Sequence, residues 1–105
     1  MFPETALAIA MLETGNFSDK RLMKTHNWFG FRPNGRGFQN GVKQRYGTYA
    51  TGEAMLADYR EWEMGRVIRH ALYSETEFRQ WVYTHYAEDG DYQGKLIQKL
   101  NFVRQ

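Results

Sequence analysis

Residues 8–15 read Ala8-Ile9-Ala10-Met11-Leu12-Glu13-Thr14-Gly15, an apolar run that ends in a lone carboxylate and then a glycine. Upstream, Pro3 suits the first position of a helix and Glu4 complements its N-terminal dipole. Ala6, Leu7, Ala10 and Met11 recur at three- and four-residue steps, and Ile9 and Leu12 widen the apolar surface. A helix is therefore predicted over residues 2–14, with Gly15 as its stop. Glu13 falls in the last turn, where the helix dipole disfavours a negative charge. An apolar setting adds to that effect and raises a carboxyl pKa. A general acid that must hold a proton near neutral pH needs such a shift. Position alone also fits a surface glutamate at a helix end.

Further along, Ser18 is the expected N-cap of a short helix over residues 19–25. Residues 27–52 are punctuated by Gly30, Gly35, Gly37, Gly41 and Gly47, with Pro33-Asn34-Gly35 as a turn signal. They read as two or three short strands, a hairpin, or one long loop. Thr51 caps a long helix reaching residue 72, with Met55, Leu56, Tyr59, Trp62 and Val67 on its apolar stripe. Ser74 with Glu77 is a capping box for a helix in which Phe78, Trp81, Val82 and His85 share a face. Asp89-Gly90 marks a turn, and Asp91 caps a last helix with Tyr92, Leu96, Leu100 and Val103 on one side. The fold class is mainly α, with a small irregular or β-hairpin lobe, in one domain over residues 1–105.

Composition narrows the function. Lys and Arg total 14 against 12 Asp and Glu, and a net charge of +2 is too mild to argue for nucleic acid. Residues 31–52 nevertheless hold Arg32, Arg36, Lys43 and Arg45 and no acid, which makes either a solvated loop or a basic face for an anionic polymer. The chain has no cysteine, and His26, His70 and His85 lack ligand spacing, so no metal and no cofactor are expected. No apolar run approaches the ~20 residues needed to span a membrane. No leader precedes Phe2, so the expectation is synthesis without one or a start inside a longer chain. Aromatic residues make up 16% of the chain; large rings fill a small core and also line sugar-binding grooves.

Three segments together resemble the bacterial and phage glucosaminidases, glycoside hydrolase family 73. Residues 8–15 are similar to the family's "AQxxLESG" helix end. His26-Asn27-Trp28-Phe29-Gly30-Phe31 resembles "NNLFGI", and residues 86–96 resemble "YATDPxYxxKL". The resemblance implies a lysozyme-like helical fold and cleavage of the β-1,4 bond between N-acetylglucosamine and N-acetylmuramic acid in peptidoglycan. It also implies action in the periplasm or cell wall, by a monomer without a cofactor. Carried over by position, Glu13 matches the catalytic acid and Tyr86 a tyrosine beside it. Asn27, Phe29 and Gly30 match the groove floor, and Trp28 and Tyr49 join them as rings able to stack on a sugar. Tyr92, Lys95 and Leu96 read as packing and capping residues.

Two departures from the family pattern matter. Many members begin with a further helix, and many carry a second acid in the glycine-rich lobe, where this sequence has none. Glu53 is the nearest candidate for a second carboxylate, Asp89 a more distant one, and substrate assistance needs neither. The alternatives are a lytic transglycosylase or muramidase using the same single glutamate, or a non-catalytic wall-binding module.

Overall fold

The computed structural model describes residues 1–85 and 91–104. Its helices are α1 (Pro3–Glu13), α2 (Lys20–Lys24), α3 (Gly52–His70), α4 (Glu75–His85) and α5 (Tyr92–Val103). Between α2 and α3, strands β1 (Gly41–Lys43) and β2 (Tyr46–Thr48) pair antiparallel, with Val42 opposite Gly47. The molecule is mainly helical with a small hairpin lobe, as the sequence pattern predicts.

α1 ends where Gly15 requires. Gly15 takes φ +57°, its N–H donates to the Leu12 carbonyl, and the Asn16 N–H donates to the Met11 carbonyl at 2.7 Å. These two bonds satisfy carbonyls that the helix leaves unpaired at its end. Asn16 and Phe17 continue at positive φ, so the chain turns sharply away and no further helical turn covers Glu13. The expected apolar stripe of α1 is broader than four residues. Thr5, Ala8 and Ile9 are fully buried, while Leu7 is 44% exposed. α1 packs on α5, its Thr5 hydroxyl donates to Glu75 of α4 at 2.7 Å, and Glu63 of α3 accepts the Phe2 N–H. A helix enclosed from several sides needs no single stripe.

Asp19, not Ser18, caps α2: its carboxylate accepts the Leu22 N–H at 3.1 Å, while the Ser18 hydroxyl donates back to the Gly15 carbonyl. The hairpin turn also lies away from the expected Pro33-Asn34-Gly35 signal. Gln44 and Arg45 form it, both at positive φ (+51° and +73°), as a two-residue turn requires for its twist to match the strands. Neither is glycine, so composition does not reveal this turn.

Asn27 ties the segment between α2 and β1 to the hairpin. It is fully buried, donates from Nδ2 to the carbonyls of Phe31 and Gly47 at 2.8 Å each, and accepts the Phe31 N–H at 2.9 Å. On α3, Asp58 is fully buried and accepts from Arg36, from the Tyr49 hydroxyl and from Asn34 Nδ2. Leu56, expected on the stripe, is 40% exposed instead. Thr51 and Ser74 cap α3 and α4 as predicted. Phe78, Val82, Leu96 and Leu100 complete the core with Met55 and Tyr59.

Asn27→Ala takes their side-chain partner from the buried Phe31 N–H and the Gly47 carbonyl, while the Phe31 carbonyl keeps the Gly47 N–H. The unfolding free energy in urea should fall by about 2–4 kcal/mol, and a loss under about 1 kcal/mol would remove the stapling role.

Candidate active site

Glu13 is the last residue of α1, and its carboxyl faces a cavity of about 430 Å³. Phe29, Gly30, Phe31 and Arg32 line one wall, Trp62 and Arg66 of α3 the next, and Trp81 and His85 of α4 the far side. Gly30 is required on two counts. Its φ is +66°, and a Cβ there would stand 3.1 Å from Glu13 Oε2. The backbone therefore passes directly against one side of the carboxyl. Beneath, the Tyr92 hydroxyl at the start of α5 donates to Glu13 Oε1 at 3.3 Å.

These surroundings govern the charge of Glu13. Burial raises its pKa to about 7, and the bond from Tyr92 pulls partly the other way. Burial, and then the adjacent Glu13, push the Tyr92 phenol above its ordinary range, so it stays protonated and remains a donor. A carboxyl with a pKa near 7 both holds and releases a proton at neutral pH.

An aromatic ladder runs from the core to the cavity rim. Phe29 stacks on Tyr59 with centroids 4.1 Å apart, Phe31 meets Trp62 at 5.7 Å, and Trp62 meets Trp81 at 6.0 Å. His85 then lies nearly parallel to Trp81 at 4.9 Å. These rings pack against one another, which holds their faces in place beside the polar groups of the wall, and a fixed aromatic face can stack on a pyranose ring.

Of the residues expected from sequence, Glu13, Phe29 and Gly30 are brought together around this cavity. Asn27 is not: every polar atom of its side chain holds backbone. Trp28 points the other way, into a separate apolar hollow with Ala6, Leu7, Phe17 and Leu56, and its ring covers Gly52. Tyr49 is buried, with its hydroxyl on Asp58, so it supports the lobe and offers no surface to a sugar. Glu53 is exposed in the first turn of α3, nine residues before Trp62, which is about 13 Å along the axis at 1.5 Å per residue. Tyr86 and Asp89 lie outside the described residues.

The sequence reading missed Tyr92, Trp62, Arg66, Trp81 and His85. A signal existed for each. A tyrosine on an apolar helix face must find a partner for its hydroxyl, and Trp62/Arg66 and Trp81/His85 are pairs at i, i+4 that present one edge of a helix to one place.

The family model for glucosaminidase, described as mannosyl-glycoprotein endo-beta-N-acetylglucosaminidase, matches residues 1–104. The chain belongs to the glucosaminidase family. Membership supports a peptidoglycan-degrading glycoside hydrolase, and the Glu13 cavity is the glucosaminidase fold's candidate for the reacting centre. No curated protein and no solved structure matches the chain. Among the described residues, no helix of this glucosaminidase is long and apolar enough to cross a membrane.

The geometry predicts the titration of Glu13. Carbon-detected NMR of its carboxyl should give a pKa near 7, and Tyr92→Phe, which removes the donor favouring the carboxylate, should raise it further. A lower value in the variant would refute the assigned bond. The sign for stability follows. The folded state holds its proton up to about 7 and the unfolded state only to about 4.5, so stability declines as pH rises across that interval. Glu13→Gln should abolish that part of the decline.

Proposed function

We propose that this domain is an endo-β-N-acetylglucosaminidase that hydrolyses the β-1,4 bond between N-acetylglucosamine and N-acetylmuramic acid in peptidoglycan, with Glu13 as general acid. The observation that carries this reading is a carboxyl with a pKa near 7 at the inner end of an aromatic-walled cavity. Protonated Glu13 donates to the glycosidic oxygen as the bond to the anomeric carbon breaks. The Tyr92 hydroxyl, already on Oε1, stabilises the carboxylate that results.

The second group is the substrate's own acetamido oxygen. Two-carboxylate enzymes need a partner at ~5–5.5 Å or ~6.5–9.5 Å, and Glu13 is the only carboxylate among the described residues that line the cavity. The acetamido carbonyl oxygen attacks the anomeric carbon as the leaving oxygen takes the proton of Glu13, giving a cyclic oxazolinium ion. Glu13, now a carboxylate, accepts a proton from water, which opens that ring with retained configuration. Tyr86, carried over by the family resemblance, is the residue assigned to orient the acetamido group.

Digestion of purified cell walls tests the reading. Glu13→Gln should lose ~10²–10⁴-fold in rate while remaining folded, and retention of more than about a tenth of activity would exclude Glu13 as the acid. Glu53→Gln and Asp89→Asn should keep most activity; inactivity of either would make that residue the second group. Products should carry N-acetylglucosamine reducing ends. Anhydro ends would assign a lytic transglycosylase, and N-acetylmuramic acid reducing ends a muramidase. Activity should fall as pH rises through about 7, where Glu13 loses its proton, and Tyr92→Phe should move that limb upward.

A further inference from the structure

The groove continues past Glu13. A hollow of about 200 Å³ opens beside the cavity, shares Phe31, Arg32, Trp62 and Arg66 with it, and extends to Asn34 and Arg36. One end of the groove is therefore a carboxyl and the other is cationic. Arg36 is committed to the buried Asp58. Arg32 and Arg66 are not committed: neither forms an ion pair with any described residue. Arg32 reaches only the Arg45 carbonyl, at 3.5 Å, and lies over the Tyr46 ring. Arg66 lies over the Trp62 ring at 5.9 Å, half-buried. Burial and then the like charges of Arg69 and Arg36 lower the pKa of Arg66, so its surroundings are cationic and no described carboxylate pairs with it. Stacking holds the faces of an uncharged sugar, and guanidinium donors to its hydroxyls would leave their charge uncompensated. A guanidinium does match a carboxylate in shape and charge, through two parallel N–H donors.

We propose that Arg66, assisted by Arg32, forms a carboxylate subsite that selects glycan strands bearing an acid close to the scissile bond over uncharged N-acetylglucosamine polymers. The inference rests on the glycosidase reading above and names what determines its substrate. Two sources supply such a carboxylate: an ether-linked acid on the sugar itself, or an acidic residue of a peptide attached to it.

The test is binding, followed by the fluorescence of Trp62 and Trp81, in a Glu13→Gln background that leaves the ligand intact. The ligands are a peptide-free tetrasaccharide of alternating N-acetylglucosamine and N-acetylmuramic acid, the same compound with its carboxylates amidated, and the peptide-bearing form with its peptide acids free or amidated. An acid form should bind about tenfold more tightly than its amidated counterpart, the lower range for a hydrogen bond to a charged group. Preference on the peptide-free compound assigns the sugar's own acid; preference on the peptide-bearing form alone assigns the peptide. Arg66→Gln should remove the preference, lowering affinity for the acid form far more than for the amidated form. Arg66→Lys should keep part of it, because the charge stays and the planar fork goes. Equal affinity for acid and amide in both pairs would overturn the subsite, as would a preference that survives the Arg66→Gln, Arg32→Gln double variant. Cleavage by the wild-type protein, measured in parallel, separates this from the parent reading. Acid preference without cleavage keeps the subsite and overturns the hydrolase, and cleavage without preference does the reverse.

Discussion

The buried carboxamide of Asn27 is the interaction on which the site depends. The chain between α2 and β1 has little regular structure, yet it must pass through the interior, and buried backbone groups need partners. Asn27 supplies them from one side chain, bridging its own loop to Gly47 of the hairpin. That bridge sets the path of residues 28–31, and the path fixes three things. Phe29 stacks on Tyr59, Phe31 reaches Trp62, and Gly30 comes against Glu13 with no side chain between them. A residue that resembles a sugar ligand in the motif is instead the reason the motif holds its shape.

Among the described residues, Asp58, Glu63 and Glu13 are acids largely withdrawn from solvent, and their partners differ in kind. Asp58 has a guanidinium, a phenol and an amide, and it joins the hairpin lobe to α3. Glu63 accepts the Phe2 N–H and the Tyr59 hydroxyl, and it holds the start of α1. For Glu13, the close contacts are a neutral phenol at 3.3 Å and the bare backbone of Gly30, at a helix end whose dipole is unfavourable to a negative charge. Desolvation therefore dominates at Glu13, and its proton is held to about pH 7. Burial makes structural links of Asp58 and Glu63, whereas Glu13, which no described residue meets in an ion pair, keeps its proton up to about pH 7.

The walls of the groove combine stiffness with access. α3 and α4 bring Trp62, Arg66, Trp81 and His85 to the rim from helix edges whose other residues are in the core. Side chains anchored in this way lose little freedom when a ligand arrives, which lowers the ordering cost of binding. The lobe side is set by Asp58, which fixes Arg36 and Tyr49 behind the surface and leaves Arg32 and Arg66 toward it.

The local features that sequence determines by itself are those with local causes. Gly15 after an apolar run stops α1, Thr51 and Ser74 cap their helices, and the periodicities of α3, α4 and α5 assign their core faces. The motifs around Glu13 and Gly30 name two residues that the structure brings into contact. Adjacency in the motif misled for Trp28, since neighbouring residues in an irregular loop face opposite ways, and for Tyr49, whose hydroxyl answers a charge on α3. The sequence pattern marks Tyr92 and the groove residues of α3 and α4 as lying on helix faces, but it does not bring them to Glu13. Each acts across a separation that only packing closes: Tyr92 and Glu13 are 79 positions apart, and the docking of α5 on α1 brings hydroxyl to carboxyl. Helix periodicity tells which face is buried, but not what lies opposite it; that is decided when the helices pack.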